Sequence, residues 1–137
     1  MLEPTSASKR SVTLMLDKLR DQALNTLAAG STCTLSSSGP AGLQASVIPY
    51  RVADHKIYIL IPTTSDHLFN LETEPRVILT TPEWQLTGTA AMIEPPPSLL
   101  ALFTSQETRW QQWVEITPQR IQLEPGPSQP RITVDFQ

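Results

Sequence analysis

The sequence predicts a mainly β protein of the α+β class, built as an antiparallel barrel of six to seven strands with an N-terminal helix and short connecting helices. Short apolar or alternating runs are separated by turn residues, and one long stretch alone has helical periodicity. Proline accounts for 13 of the 137 residues, about twice its average usage, and most of these prolines lie between those runs or at their ends. Many short strands joined by short turns favour a closed antiparallel sheet over a doubly wound one.

The long periodic stretch spans residues 9–29 and predicts an amphipathic helix. Its apolar residues recur at spacings of three and four, and Gly30 follows as the stop. Such a stripe is typical of a helix that covers a sheet. Residues 1–8 have no periodic signal and are expected to be disordered, which leaves residues 9–137 as a single domain.

Five strands are expected in the first two thirds of the chain, at residues 32–36, 43–52, 57–61, 76–81 and 84–93. The third strand is apolar on both faces, which predicts that it is covered on both sides. Three consecutive prolines at 95–97 end this meander, and Ser98 is expected to cap a short helix. A strand over residues 113–123, interrupted at Pro118, and a final strand over residues 131–136 complete the prediction.

A short helix is expected between the third and fourth strands, after Thr63, Thr64, Ser65 and Asp66. Hydroxyl side chains and free backbone N–H groups at such a helix start can bind a phosphate. Two simpler interpretations stay open at this point. Ser65 and Asp66 can be an ordinary N-cap, and His67 can be a solvent-facing helix residue.

Composition excludes several classes of function. A net charge of −3 and a pI near 5.3 argue against a nucleic-acid partner. Cys33 is the single cysteine and is expected to be a small buried residue, and one Cys with two separated His gives no metal-site spacing. No apolar run approaches the roughly 20 residues of a spanning helix, so no membrane partner is predicted and we expect a soluble cytoplasmic protein.

Several segments, in order, resemble the split-barrel flavoproteins related to pyridoxamine 5′-phosphate oxidase. The likeness covers most of residues 24–124. It rests on Leu27-Ala28-Ala29-Gly30-Ser31-Thr32-Cys33-Thr34-Leu35, Ser46-Val47-Ile48-Pro49-Tyr50, Tyr58 to Pro62 followed by Thr63, Asn70-Leu71 with Glu74-Pro75-Arg76-Val77, Thr87-Gly88-Thr89-Ala90, and Thr117-Pro118-Gln119-Arg120-Ile121.

The resemblance implies a homodimer of split barrels that holds FMN in clefts between the subunits. Thr63, Thr64 and Ser65 would contact the phosphate, with His67 in the position where the family usually carries Lys or Arg. The isoalloxazine ring would lie against Ser46, Val47, Ile48 and Pro49, and Trp84 and Gln85 would approach it from a later strand. Arg51 or Arg76 could replace the missing cation.

Two functions follow as hypotheses. The first is an FMN-dependent oxidase or reductase of unknown substrate, for which the sequence identifies no catalytic residue. The second is a flavin-free split-barrel dimer that acts as a binding or interaction module. His67 in place of Lys or Arg, together with the acidic Asp66, Glu72 and Glu74, favours the second. The three tryptophans, Trp84, Trp110 and Trp113, are expected to be buried unless they form a flavin wall or a dimer contact.

Overall fold

Six antiparallel strands form a closed barrel, to which one further strand and several helices are added. The computed structural model describes residues 6–136, with side chains from residue 15 onward. The elements are α1 (Ser6–Ala28), β1 (Thr32–Ser37), β2 (Gln44–Ala53), β3 (Lys56–Pro62), α2 (Asp66–Thr73), β4 (Arg76–Thr81), β5 (Trp84–Met92), a 3₁₀ helix (Pro97–Leu102), α3 (Ser105–Thr108), β6 (Gln111–Leu123) and β7 (Ile132–Asp135).

The strands are ordered β3-β2-β1-β4-β5-β6-β7, and an additional pairing of β3 with β6 closes the barrel. All the pairings are antiparallel. Strand β7 extends the sheet beyond β6 and stays outside the closed ring. This confirms the predicted antiparallel barrel.

Two apolar clusters explain why β3 is hydrophobic throughout. Ile57, Ile59 and Ile61 alternate into the barrel core, while Tyr58 and Leu60 face a second cluster outside it. That second cluster is completed by Leu99 of the 3₁₀ helix, Phe103 directly after that helix and Trp113 of β6. Strand β3 is therefore covered on both sides, as its sequence predicts.

Helix α1 packs against the barrel through its C-terminal half, where Ala23, Leu24 and Leu27 are buried. Arg20 Nε donates to the carbonyl oxygen of Asp135 at 2.9 Å, which ties α1 to β7. The helix begins at Ser6, so it includes residues 6–8 of the segment expected to be disordered; residues 1–5 lie outside the described residues. Within residues 6–136, no helix combines the length and apolarity needed to cross a membrane.

Strand β6 runs through Pro118 without ending, because a bulge accommodates it. Thr87 pairs with Arg120 and Gly88 with Pro118, so Gln119 is the extra residue. A Cβ at Gly88 would lie 2.7 Å from the carbonyl oxygen of Thr117, so only glycine fits this approach. The bulge thus reconciles the predicted interruption with one continuous strand.

After β5 one local prediction was wrong and one helix was missed. The 3₁₀ helix has Pro96 at its N-cap with no side-chain cap, so Ser98 does not cap it. Helix α3 was not predicted. Thr104 and Glu107 form a capping box around its four residues, a local signal too short to be recognised from apolar periodicity.

Candidate functional site

Helix α2 lies against the hairpin of β1 and β2 and begins as an ordinary capped helix. The hydroxyl of Ser65 accepts a hydrogen bond from the backbone N–H of His67 at 3.1 Å. This confirms the N-cap interpretation of Ser65. The residues before it, Thr63 and Thr64, are exposed, and the Thr63 N–H donates to the carbonyl oxygen of Trp110 at 3.0 Å.

His67 is buried inside the junction between α2, β1 and β2. Its side chain is 2% exposed, so the interpretation as a solvent-facing residue was wrong. Nδ1 lies 2.7 Å from Ser37 Oγ on β1, and Nε2 lies 3.1 Å from Ser46 Oγ on β2. Both ring nitrogens are therefore occupied by partners within the protein.

Asn70, one turn further along α2, fastens the loop between β1 and β2. Its Nδ2 donates to Ser37 Oγ at 3.2 Å and to the carbonyl oxygen of Gly42 at 2.8 Å. Its Oδ1 accepts the N–H of Ala41 at 2.9 Å. Gly39 lies so close that an added Cβ would be 3.1 Å from Asn70 Cα. We call Ser37, Ser46, His67 and Asn70 the α2 junction.

The hydrogen bonds of the α2 junction fit a neutral imidazole. Ser37 Oγ accepts from Asn70, so its own proton can be donated to His67 Nδ1, and His67 Nε2–H can be donated to Ser46. Burial lowers the pKa of His67 below its ordinary value of 6.5, and the nearby Asp66 carboxylate partly opposes that shift. His67 is consequently uncharged near neutral pH and supplies no cation.

The two arginines considered as replacements have other partners. Arg51 Nη2 lies 3.2 Å from Glu107 Oε2, and its guanidinium carbon is 4.8 Å from the Phe103 ring centroid. Arg76 is the first residue of β4, and its Nε lies 3.1 Å from Oε1 of Glu74, just before the strand. Each arginine is thus already paired with a carboxylate.

A cleft of about 610 Å³ opens at the other end of β1. It lies between the end of α1, the start of β1 and the turn between β4 and β5. Its lining consists of Thr26, Ala29, Gly30, Ser31, Thr32, Cys33, Thr34, Val47, Tyr50, Thr80, Thr81, Pro82, Glu83 and Trp84. The set is rich in hydroxyl groups, and Glu83 is its single charged side chain.

The inner wall of this cleft is rigid and buried. The rings of Tyr50 and Trp84 meet edge to face with centroids 5.5 Å apart, and the Tyr50 hydroxyl donates to the carbonyl oxygen of Leu27. A Cβ at Gly30 would lie 2.6 Å from that hydroxyl oxygen, so the wall requires glycine there. Cys33 is buried, as predicted, and desolvation raises the pKa of its thiol to about 12.

The structure does not bring the residues predicted to contact FMN together at one site. Val47 and Trp84 line the same cleft, with Val47 73% exposed and Trp84 buried. Ser46 and His67 are joined in the α2 junction, and Thr63, Thr64 and Ser65 lie at the start of α2, outside the cleft. Ile48 faces the core, Pro49 is half-buried, and Gln85 lines a separate groove with Trp84.

The residues at the start of α2 do not fit the phosphate of FMN. His67 is neutral with both nitrogens occupied, Ser65 caps its own helix, and Asp66 places a negative charge in the first turn. A phosphate dianion there would meet a carboxylate without a compensating cation. Among the side chains described, no three His, Cys, Asp or Glu residues form a group that could hold a metal ion.

Sequence reasoning missed the role of Ser37, the middle residue of a run of three serines with no periodic signal. The Asn70-Leu71 pair was recognised as part of the resemblance, but its contacts with the loop between β1 and β2 depend on the docking of α2. Trp84 and Trp113 are buried as expected, whereas Trp110 is 74% exposed and adopts a φ of 61°. No pattern in the sequence separates Trp110 from the other two.

No protein-family model and no curated protein sequence matches the chain. Solved structures do match it. General stress protein 26 from Bacillus anthracis is 16% identical, covers 86% of this chain and 98% of its own, and superposes with a TM-score of 0.67.

Two further structures point to the same fold. A Clostridium acetobutylicum protein described as related to general stress protein 26 of B. subtilis (pyridoxinephosphate oxidase family) is 12% identical over 87% of this chain and 95% of its own, with a TM-score of 0.66. A heme binding protein from Mycobacterium smegmatis is 15% identical over 98% of this chain and 60% of its own, with a TM-score of 0.68. The chain therefore has the split-barrel fold of proteins related to pyridoxamine 5′-phosphate oxidase, as its sequence resemblance implies.

Proposed function

We propose that the protein is a homodimeric split barrel that acts as a binding module and does not anchor FMN through its phosphate. The observation that carries the proposal is the α2 junction, where His67, the side chain expected in place of the phosphate-binding cation, is paired with Ser37 and Ser46 instead. Ser37, His67 and Asn70 are buried and hydrogen-bonded to one another, so a ligand would have to break these hydrogen bonds in order to bind there.

An uncharged surface on the outside of the barrel suits a second copy of the chain. Strand pairing aligns two rows of outward-pointing side chains across β2, β1, β4 and β5. One row is Ala45, Ser36, Ile78 and Thr87, and the other is Val47, Thr34, Thr80 and Gln85. We call these eight residues the outward face.

The outward face has the properties of a homodimer contact. Val47 is 73% exposed and Ile78 39% exposed, and none of the eight side chains carries a charge. Exposed apolar groups surrounded by small uncharged ones are typical of surfaces that pair with an identical copy. Thr34, Val47 and Thr80 belong both to this face and to the cleft, so a partner subunit would border the cleft.

Sedimentation at micromolar concentration tests this assembly. We expect a species of about twice 15.2 kDa. Val47→Arg should shift it to the monomer, because two symmetry-related charges would be buried at the same contact. Leu100→Arg is the matched control, since Leu100 is also exposed but lies on the 3₁₀ helix. A monomeric wild type, or equal dissociation by both variants, would exclude this dimer.

An FMN-dependent oxidoreductase is the second candidate, and one observation favours it. Val47 and Trp84, both expected near an isoalloxazine ring, line a single cleft. Purified protein with bound flavin would absorb near roughly 450 nm and would retain that absorbance through gel filtration. A Soret band would instead indicate haem, which the Mycobacterium smegmatis relative is named for binding. Colourless protein that takes up no added FMN favours the binding module.

A further inference from the structure

We propose that a proton on His67 separates the two copies of the dimer, so that the outward faces pair only while this imidazole is neutral. The inference rests on the proposed function, because it takes the outward face to be the contact between subunits. It adds a form of regulation to that contact. Two features support it: the position of the α2 junction behind the outward face, and the lack of a counter-charge for the imidazole.

The α2 junction and the outward face belong to the same stretches of β1 and β2. On β2, Ser46 lies between Ala45 and Val47 of the outward face. On β1, Ser37 directly follows Ser36 of that face. Successive side chains of a strand point to opposite sides of the sheet, so the imidazole contacts the inner side of the backbone that carries the outward face. Movement of either junction serine therefore also displaces residues of the dimer contact.

The hydrogen bonds of the α2 junction accommodate one imidazole proton and not two. Ser37 Oγ lies 2.7 Å from His67 Nδ1 and accepts from Asn70 Nδ2 at 3.2 Å, so its own proton is directed to Nδ1. A proton on Nδ1 would place two donors against each other. Ser37 is only 4% exposed, so a hydroxyl that turns away from the imidazole does not reach solvent. Protonation therefore disrupts the contact between His67 and β1.

The described elements around the imidazole offer it no counter-charge within the junction. Residues 32–43, which form β1 and the loop after it, contain no charged side chain. On α2, Asp66 and Glu72 are exposed. Glu74, just after α2, is paired with Arg76 of β4. The titratable side chains of β1, β2 and β3 lie toward the strand ends away from the junction; they are Cys33, Tyr50, Arg51, Lys56 and Tyr58.

Proton binding and subunit pairing oppose each other. Burial lowers the pKa of His67, and the attraction of the Asp66 carboxylate is the smaller effect. In a free subunit the β1–β2 hairpin can adjust to the added proton, because its outer side faces solvent, with Val47 73% exposed. In the dimer a partner would hold that side in place, so the same adjustment would disturb the contact. By linkage, the proton weakens pairing by the factor by which pairing weakens proton binding.

Sedimentation of the full-length protein over a concentration series, at about pH 7.5 and about pH 5.5, tests the inference. We expect the dissociation constant of the dimer to be at least about tenfold larger at the lower pH, because both subunits of a symmetric dimer gain the proton. Circular dichroism at the same pH values checks that the subunits stay folded. His67→Asn should remove the difference. His55→Asn is the matched control and should keep it, since His55 is exposed in the turn between β2 and β3.

A second measurement decides the question where His67→Asn fails to fold. Val47→Arg is expected to be monomeric, and NMR titration of its His67 imidazole should give a higher pKa than in the wild-type dimer. The added guanidinium lies next to Ser46 in the sequence and would by itself lower that pKa. A rise therefore reports the loss of the partner subunit.

The outcomes separate this inference from the proposed function. A folded dimer of equal affinity at both pH values, tighter pairing at the lower pH, or a pH response that persists in His67→Asn would overturn the inference and leave the dimer standing. Dissociation that coincides with unfolding, or a pKa of His67 that does not rise in Val47→Arg, would also overturn it. A wild type that is monomeric at about pH 7.5 would overturn the proposed dimer, and this inference with it.

Discussion

The α2 junction and the cleft lie at opposite ends of β1, and similar polar side chains have different surroundings in them. In the junction, Ser37, Ser46 and Asn70 surround a histidine, and every polar atom has a partner within the protein. In the cleft, Ser31 and Thr32 are open to solvent. The expected FMN site would have included residues from both regions.

The difference shows that residue type does not identify a ligand site in this fold. A serine or histidine whose hydrogen bonds are already made stabilises the native state, whereas an exposed hydroxyl in a concave surface remains available to a ligand. The closed junction is therefore expected to respond to mutation through stability. The open cleft is expected to respond through binding.

Asn70→Ala should produce the largest loss of stability. Asn70 is fully buried, and its removal breaks its hydrogen bonds with the Ala41 N–H, the Gly42 carbonyl oxygen and Ser37 Oγ. We expect the free energy of unfolding, measured by urea denaturation, to fall by about 3 kcal/mol. Asn25→Ala, on the exposed face of α1, should change it by less than about 0.5 kcal/mol. A small effect at Asn70 would mean that the loop does not need this anchor.

The two regions can be compared directly through serine-to-alanine substitutions. Ser37→Ala removes a buried hydroxyl that contacts both His67 and Asn70, and should cost about 2 kcal/mol in urea denaturation. Ser31→Ala removes an exposed hydroxyl at the cleft and should cost less than about 0.5 kcal/mol. Equal costs would remove the distinction between a closed junction and an open cleft.

His67 should make stability depend on pH. Its pKa is lowered in the folded state, so the unfolded chain binds a proton more readily as the pH falls through about 6.5. The stabilisation is present above that pH and is lost below it, by up to about 1.4 kcal/mol per pH unit until the folded-state pKa is reached. Urea denaturation from about pH 7.5 to about pH 5.5 measures how the free energy of unfolding changes with pH. This range extends about one unit to either side of the ordinary histidine pKa of about 6.5.

His67→Asn should reduce that pH dependence. The matched control is His55→Asn, which removes the exposed imidazole in the turn between β2 and β3 and should leave the pH dependence in place. An unchanged slope in His67→Asn would show that His67 is not the group responsible. A slope of opposite sign in the wild type would mean that the folded protein stabilises the charged imidazole.

The strands could be predicted because their signals are local. Alternation within each run and the turn residues between runs place β1 to β5 within about two residues of their observed ends. The apolar run in β3 even predicts the cover on its second face, which Leu99, Phe103 and Trp113 provide. Pro118 marked the irregularity in β6, but that β6 continues past it with Gln119 as the extra residue depends on the pairing of β6 with β5.

The candidate site was harder to predict, since it depends on distant segments. His67 follows an N-cap and precedes Leu68, and nothing in that local order distinguishes an exposed imidazole from one held between Ser37 and Ser46. Ser46 and Ser37 precede His67 by 21 and 30 residues in the sequence. Trp110 is the converse case, a large aromatic residue left exposed.

Local periodicity, turn chemistry and composition were enough to establish the antiparallel barrel, its N-terminal helix and the burial of Cys33. Docking of α2 on the β1–β2 hairpin decided that His67 is neutral and buried, and closure of the sheet decided that Val47 and Trp84 share a cleft. The physical reason is that a strand or a cap depends on neighbouring residues, whereas burial, protonation and a concave surface depend on which distant segments meet.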